Sequence, residues 1–207
     1  TFGGHYFEES QGMAYSYGYN RAENAWDYSS TQSLILELAD IVSRGGNFLL
    51  DIGPKADGTI PPLMQERLLQ IGKWLSINGD AIYGTRPWKE ASQWSSGDRN
   101  YKPKKGESLL LKQTIDPDPG YAVKQMFFTY KDHNLYCILP QYPENNRVII
   151  KGLHLDKTSS IFFLTTGKQL SWERAGNNIE VKMPSYDPRD FSAPYAYVLK
   201  ISHIATE

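Results

Sequence analysis

Two adjacent glutamates, Glu8 and Glu9, directly follow the aromatic pair Tyr6-Phe7. A carboxyl group beside aromatic surface is partly removed from water, which favours its protonated form. A carboxyl group in that state near neutral pH can donate a proton as a general acid. The competing interpretation is a solvated pair on the surface. The sequence thus indicates Glu8 and Glu9 as candidate acid groups.

Three tyrosines alternate with small residues just downstream, at Tyr15, Tyr17 and Tyr19. In an extended segment this alternation puts the three rings on one side. The pattern predicts a short buried strand that ends near Tyr17, with Gly18 turning the chain. Only a ring at the carboxyl end of such a strand can contact a ligand. Packing in the core is the alternative for each ring.

The remaining polar residues do not form a metal or phosphate site. The histidines lack the spacing of metal ligands; they are His5, His133, His154 and His203. Lys55 to Gly58 lacks the spacing of a phosphate-binding loop. Asp51 ends a predicted strand, and a structural role is favoured because the following Gly53-Pro54 turn offers N–H groups. We therefore expect no cofactor and no metal.

The composition excludes several function classes. The chain has 207 residues, a formal net charge of -1 and 22% charged residues, so nothing attracts nucleic acid or an anionic membrane. No apolar run is long enough to span a membrane, and Cys137 is the only cysteine. Aromatic residues reach 13%, a content that suits sugar contact and β cores equally.

The first part of the chain predicts alternating strands and helices. Ser29 and Gln32 form a capping-box pattern before an amphipathic helix that Gly45-Gly46 ends. A buried strand from Asn47 to Ile52 follows, and then a loop rich in glycine and proline up to Pro62. A second helix starts at Pro61 or Pro62 and stops at Asn78-Gly79. This order matches the last two units of a (β/α)8-like TIM barrel.

The rest of the chain predicts strands alone. Residues 89–106 are polar and without period, so we expect a linker between a barrel part at 1–88 and a second domain at 107–207. Short apolar runs, beginning with Leu109 to Leu111, are separated by turn residues. Such a pattern is typical of an antiparallel β-sandwich. The predicted fold class is α/β plus all-β.

Several stretches of the first 88 residues carry a family resemblance. They are Tyr6 to Glu8, Ser16 to Arg21, Gly45 to Pro61 with the run Gly-Pro-Lys-Ala-Asp-Gly, Glu66 to Leu69, Gly72 to Leu75, Asn78-Gly79 and Ala81 to Tyr83. With these motifs the chain resembles the α-L-fucosidases of glycoside hydrolase family 29. Its downstream half resembles the β-sandwich of that family in architecture only.

The resemblance implies a retaining exo-α-L-fucosidase with two catalytic carboxyl groups. The family's nucleophile is an aspartate on an earlier barrel strand, and no position here matches its motif. Glu8 matches the acid/base of one subgroup, with Glu9 as the register alternative, and Phe7 replaces the commoner tryptophan. Tyr17 matches the aromatic residue that packs on the C5 methyl group of fucose.

The resemblance also implies partners and a location. We expect a fucosylated glycan as substrate, an N-terminal remainder of the same enzyme that carries the nucleophile, and possible homo-oligomers. A periplasmic or secreted bacterial-like enzyme is favoured over a lysosomal one. The rival hypothesis is a non-catalytic carbohydrate-binding or interaction module that uses Trp88, Trp94 and Trp172. A homologue with relaxed preference, for instance toward galactosides, is a second alternative.

Overall fold

The first unit is a parallel pair of strands connected through a helix. The computed structural model describes residues 6–204. The elements of this unit are β1 (Phe7–Gly12), α1 (Thr31–Ser43), β2 (Gly46–Asp51) and α2 (Pro62–Asn78). Six residues of β1 pair in register with six of β2. The predicted order of strands and helices is confirmed. The strand predicted to end near Tyr17 is wrong, because β1 ends at Gly12 and residues 13–18 form bends.

Helix α1 begins with a different cap from the one predicted. Ser30 is the N-cap residue, and its hydroxyl accepts a 3.0 Å hydrogen bond from the N–H of Ser33. The capping box predicted from Ser29 and Gln32 is therefore wrong. The N–H of Ser29 instead donates to the carbonyl of Met13 at 2.8 Å, which fixes the loop before the helix.

The second unit is a pair of packed antiparallel sheets, as predicted. Its elements are β3 (Arg86–Trp94), α3 (Leu109–Lys112), β4 (Lys124–Lys131), β5 (Asn134–Leu139), β6 (Arg147–Lys151), β7 (Ile161–Phe163), β8 (Lys168–Leu170), β9 (Trp172–Ala175), β10 (Asn178–Lys182) and β11 (Tyr197–Ile201). One sheet has the order β3-β4-β5-β11-β7-β8, and the other has the order β6-β10-β9. Buried residues of both sheets, among them Phe163, Ile179 and Leu199, form one core.

The segment predicted as a linker, residues 89–106, is a strand in its first part. β3 pairs with β4 at the edge of the six-stranded sheet. The pairing of β3 with β4 shifts register between Pro87 and Ser92. This shift interrupts the alternation of side chains by which a strand is recognised in a sequence, so the strand was not predicted. The domain boundaries at 88 and 107 stay predictions.

A second prediction in this region is wrong. Leu109 to Leu111 lie in the single turn of α3 instead of a strand, and the hydroxyl of Ser108 accepts a 3.3 Å hydrogen bond from the N–H of Leu111.

The helices cover the second face of the six-stranded sheet. Ile35 of α1 and Trp74 of α2 share a buried cluster with Phe127 and Val198 of the sheet. The indole N–H of Trp74 donates a 2.9 Å hydrogen bond to the carbonyl of Ala196. The sheet is therefore buried on both faces, and the two units pack together. Within residues 6–204, no helix has the length and apolarity needed to cross a membrane.

Candidate active site

The β1–β2 pair has one covered face and one open face. The guanidinium of Arg44 lies 5.3 Å from the ring centroid of Phe7, and the amide of Gln11 donates a hydrogen bond to Glu37. Phe7, Glu9 and Gln11 therefore face α1. Side chains alternate along a strand, so the other residues of β1 point the opposite way. The open face comprises Glu8, Ser10 and Gly12 of β1 with Asn47, Leu49 and Asp51 of β2.

The two candidate glutamates lie on opposite faces. Glu8 is exposed on the open face. Glu9 instead lines a recess with Glu37 and Arg44 on the α1 side. The aromatic pair does not bury Glu8, because Phe7 faces α1 and the side chain of Tyr6 is 76% exposed. Of the two glutamates, only Glu8 points into the space that a substrate on the open face would occupy.

The position of Glu8 along β1 sets its distance from the other carboxylate of this face. Glu8 is the second residue of the strand, four residues before Gly12, or about 13 Å from the carboxyl end at the usual rise per residue. Asp51 lies opposite Gly12 at the carboxyl end of β2. Among the described residues, no N–H group of the Gly53-Pro54 turn donates to Asp51, so the predicted cap is not formed.

Tyr17 folds back onto the open face. Its hydroxyl donates a 2.7 Å hydrogen bond to Oγ of Ser10, and its side chain is 54% exposed. Ser10 is two residues beyond Glu8 on the same face, about 6.6 Å along the strand. Tyr15 and Tyr19 are 78% and 39% exposed, so packing in the core is wrong for all three rings. Sequence reasoning missed Ser10, although its spacing of two residues from Glu8 was the available signal.

The loop that carries Tyr17 is held by its own side chains. A carboxylate oxygen of Glu23 accepts a 2.8 Å hydrogen bond from the N–H of Ser16. The amide of Asn20 donates to Oγ of Ser16 at 3.0 Å. These bonds fix the backbone on one side of Tyr17, so the ring is presented from an ordered loop.

The loop after β2 supports the Tyr17 loop from the other side. A Cβ atom at Gly53 would lie 2.3 Å from the backbone nitrogen of Tyr19. Gly53 is therefore required for close approach, whereas Gly58 has a positive φ of +82°. Asp57 accepts hydrogen bonds from the hydroxyl and N–H of Thr59 at 2.7 and 3.0 Å, and these bonds lower the pKa of Asp57.

A second acidic group lies on the covered side. Burial, with smaller contributions from Asp40 and Glu9, raises the pKa of Glu37 to about 7, although the hydrogen bond from Gln11 opposes this shift. Asp40 is paired with Lys124 at 2.5 Å and with Arg44 at 2.7 Å. Glu37 can hold a proton near neutral pH, but it faces away from the open face.

No metal site is formed within residues 6–204, where no group of three or more His, Cys, Asp or Glu side chains could hold an ion. His133 and His203 lie in turns with positive φ values of +60° and +56°. His5, the histidine nearest to Glu8 in sequence, lies outside the described residues.

Comparison with known proteins identifies the family. Residues 2–80 match the family model "Alpha-L-fucosidase", and residues 121–202 match the model "Alpha-L-fucosidase C-terminal domain". The chain belongs to the α-L-fucosidase family. Every candidate group described above lies within the first of the two α-L-fucosidase matches.

Individual α-L-fucosidases match across nearly the whole chain. An α-L-fucosidase of Dictyostelium discoideum is 31% identical over 206 residues, which are 97% of this chain and 39% of that protein. The α-fucosidase of Thermotoga maritima, solved with a mechanism-based inhibitor, is 32% identical with a TM-score of 0.72 over 96% of this chain and 40% of that one. Its complex with fucose gives a TM-score of 0.71, with the same identity and coverage. The chain therefore spans about two fifths of the length of these relatives.

Proposed function

We propose that this chain contributes to a retaining exo-α-L-fucosidase that removes terminal α-L-fucosyl residues from glycans. The observation that carries the proposal is the arrangement of Glu8 and Tyr17 on one open face, where the hydroxyl of Tyr17 bonds to Ser10, two residues beyond Glu8. The relatives support the substrate class, because the T. maritima enzyme was solved with fucose and with a mechanism-based inhibitor.

In this proposal β1 and β2 are the last strands of a (β/α)8-like barrel, and further polypeptide supplies the others. Two parallel strands with an uncovered face support this arrangement, since Leu49 of the open face is 51% exposed. An apolar side chain inside a closed barrel would be covered by neighbouring strands. The open face then becomes the inner wall of the barrel.

The nucleophile of the proposed reaction lies outside this chain. The two carboxyl groups of a retaining glycosidase are about 5–5.5 Å apart. Glu8 and Asp51 are about 13 Å apart along the open face at the usual strand rise, so Asp51 is too far away for this role. An aspartate from the remaining polypeptide would occupy the position near Glu8.

Glu8 acts twice in this reaction. As the nucleophile forms a bond to the anomeric carbon of fucose, Glu8 donates its proton to the departing glycosidic oxygen. The Glu8 carboxylate then accepts a proton from the water that attacks the same carbon and releases the nucleophile. Tyr17 contacts the C5 methyl group, where an apolar wall favours fucose over sugars that carry a hydroxyl group there.

Substitution of the two adjacent glutamates tests this assignment. In the complete enzyme, Glu8→Ala should lower kcat for 4-nitrophenyl α-L-fucoside by a factor of 10² or more, about the usual contribution of an acid/base. Azide should restore part of the rate, because it needs no general base to attack. Glu9→Ala is the matched control, since Glu9 faces α1, and its kcat should stay close to that of the wild type. Equal losses in both variants, or an unchanged rate in Glu8→Ala, would remove Glu8 from the role.

The proposal includes the finer predictions about partners and location. The substrate is a fucosylated glycan, and the chain associates with the remainder of the same enzyme. Possible homo-oligomers stay a prediction. The enzyme works in the periplasm or outside the cell. The absence of any Asn-x-Ser/Thr sequence in the 207 residues supports a bacterial-like enzyme over a lysosomal one.

A further inference from the structure

The two sheets of the sandwich separate at one edge and leave a cleft of about 330 Å³ between β3 and β6. β3 is the edge strand of the six-stranded sheet, and β6 is the edge strand of the three-stranded sheet. We propose that this cleft is an accessory carbohydrate-binding site that holds a neutral sugar unit of a glycan. The site is additional to the hydrolytic function proposed above and does not depend on it.

One end of the cleft is closed by Gln93. Its side-chain amide donates to the carbonyl of Ile149 at 2.7 Å and accepts from the N–H of Lys151 at 2.8 Å. The ammonium group of Lys151 donates a 2.9 Å hydrogen bond to the carbonyl of Trp94. These bonds hold β3 and β6 together at a fixed separation.

The other end is opened by an irregularity in β3. Pro87 of β3 pairs with Thr129 of β4, and Ser92 pairs with Phe127. The two paired positions are five residues apart on β3 but only two residues apart on β4. The extra residues leave the ladder, as in a bulge that redirects side chains. As a result, Trp88, Lys89 and Glu90 line the wall of the cleft.

The lining combines an apolar floor with a polar rim. Phe128, Leu135 and Ile150 form the floor and are each at most 5% exposed. Trp88 forms an aromatic wall whose ring centroid lies 5.3 Å from that of Tyr130. The contact restrains the indole, so the wall is formed before a ligand binds.

The rim offers both donors and acceptors for hydrogen bonds to sugar hydroxyl groups. Glu90 offers a carboxylate acceptor, and the exposed His154 can donate or accept, which is the polar chemistry that sugar hydroxyls require. A pocket of about 300 Å³ or more with an aromatic wall and a few convergent polar groups is typical of small-ligand sites. The two lysines of the lining are already engaged within the protein, since the ammonium group of Lys89 lies 5.7 Å from the ring centroid of Trp88 and that of Lys151 bonds to a backbone carbonyl. The carboxylate of Glu90 therefore favours a neutral ligand over a phosphate or an acidic chain.

A peptide strand is the less favoured occupant. A peptide that extends a sheet must bond to free backbone groups of an edge strand. Here the side chain of Gln93 is already hydrogen-bonded to the carbonyl of Ile149 and the N–H of Lys151, on the side of β6 that faces β3. The edge available for pairing is correspondingly short.

Titration of the chain with lactose tests the site. Lactose contains no fucose, so a response would not report the binding of fucose at the open face. The indole N–H resonance of Trp88, assigned with Trp88→Phe, should shift saturably in ¹H–¹⁵N spectra. The resonance of Trp26, which is 94% exposed, should not move.

Two exposed glutamates provide a matched pair of variants for the same titration. Glu90→Gln should weaken lactose binding at least tenfold, whereas Glu144→Gln, which lies outside the cleft, should bind as the wild type does. Three results would overturn the proposal: no saturable shift of Trp88, equal binding by Glu90→Gln, or displacement of lactose by a short peptide of alternating Thr and Val. Loss of fucosidase activity in Glu8→Ala would leave each of these readouts unaffected.

Discussion

The hydroxyl of Tyr17 donates a 2.7 Å hydrogen bond to Oγ of Ser10, although the two residues belong to a loop and to a strand. The bond turns the Tyr17 loop back over β1 and sets the ring beside the face on which Glu8 lies. A residue that only packs in the core would not be more than half exposed there. The contact therefore places the candidate methyl-binding ring on the same face as the candidate acid/base.

Replacement of Tyr17 should change the preference between fucose and its 6-hydroxy analogue. Loss of the ring in Tyr17→Ala should lower the ratio of kcat/KM for α-L-fucoside over α-L-galactoside by a factor of about 10–200, the usual effect of one methyl contact. Parallel kinetics on the two 4-nitrophenyl substrates in the complete enzyme measure this ratio.

Two milder variants separate the ring from its hydrogen bond. Tyr17→Phe keeps the apolar wall, and Ser10→Ala removes only the acceptor. Both should retain most of the preference and mainly raise KM, because the loop is held less firmly. An unchanged preference in Tyr17→Ala would contradict the role of Tyr17.

The pKa of Glu37 predicts how stability changes with pH. Because this pKa is raised from 4.5 to about 7 in the folded protein, the folded state holds the proton more tightly than the unfolded state. The stabilising contribution is fully present below about pH 4.5 and is lost as the pH rises through about 7. A shift of this size corresponds to a decrease of up to about 3 kcal/mol in the free energy of unfolding.

Urea unfolding at several pH values measures this contribution. Glu37→Gln is neutral throughout, so its free energy of unfolding should decrease less than that of the wild type between pH 4.5 and 8. Glu144→Gln, an exposed control, should follow the wild type. Parallel curves for the wild type and Glu37→Gln would show that Glu37 does not titrate as described.

The local patterns predicted much of the first unit correctly. Pro62 begins α2, and the apolar run from Asn47 to Asp51 lies in β2. Which face of β1 is covered by α1 was harder to predict. Alternation along a strand shows which residues share a face, but it does not show which of the two faces a helix covers. Only the contacts of Phe7 and Gln11 with α1 place Glu8 on the open face.

The errors occurred where tertiary contacts override local patterns. β3 lacks alternation because its pairing with β4 shifts register, and the polar side chain of Gln93 bonds to the other sheet. Leu109 to Leu111 are as apolar as a strand, yet they form one helical turn that packs on α1 and the sheet. The sequence predicted residues of the candidate site but not how they are arranged. The hydrogen bond between Tyr17 and Ser10 forms because the loop turns back over β1, and no periodic pattern in the sequence indicates this turn.

The apolar faces of the helices explain why this part of the chain is ordered. Two barrel-like units alone would leave α1 and α2 partly uncovered. In the structure, Leu36 and Ala39 of α1 and Trp74 of α2 are buried against the six-stranded sheet. The sandwich therefore supplies a core for the helices, and variants that loosen this contact should affect both units together.

Three glycine substitutions should change stability in different directions. Gly53→Ala places a Cβ atom 2.3 Å from the backbone nitrogen of Tyr19 and 2.5 Å from the carbonyl carbon of Gly18. Neither is the end of a flexible side chain, so the two loops must separate at a cost of about 1–3 kcal/mol. Such a displacement moves the Tyr17 loop, so KM for the fucoside should rise as well.

The two control glycines have open space around them. At Gly58 the added methyl group meets nothing within 4 Å, but φ is +82°, so Gly58→Ala should cost about 1 kcal/mol from backbone strain alone. Gly72 lies within α2 with nothing within 4 Å, and Gly72→Ala should stabilise the protein by about 0.5–1 kcal/mol. Urea unfolding should therefore rank the variants Gly53→Ala, Gly58→Ala, wild type and Gly72→Ala in increasing stability. If Gly53→Ala were as stable as the wild type, the close contact between the two loops would not constrain the site.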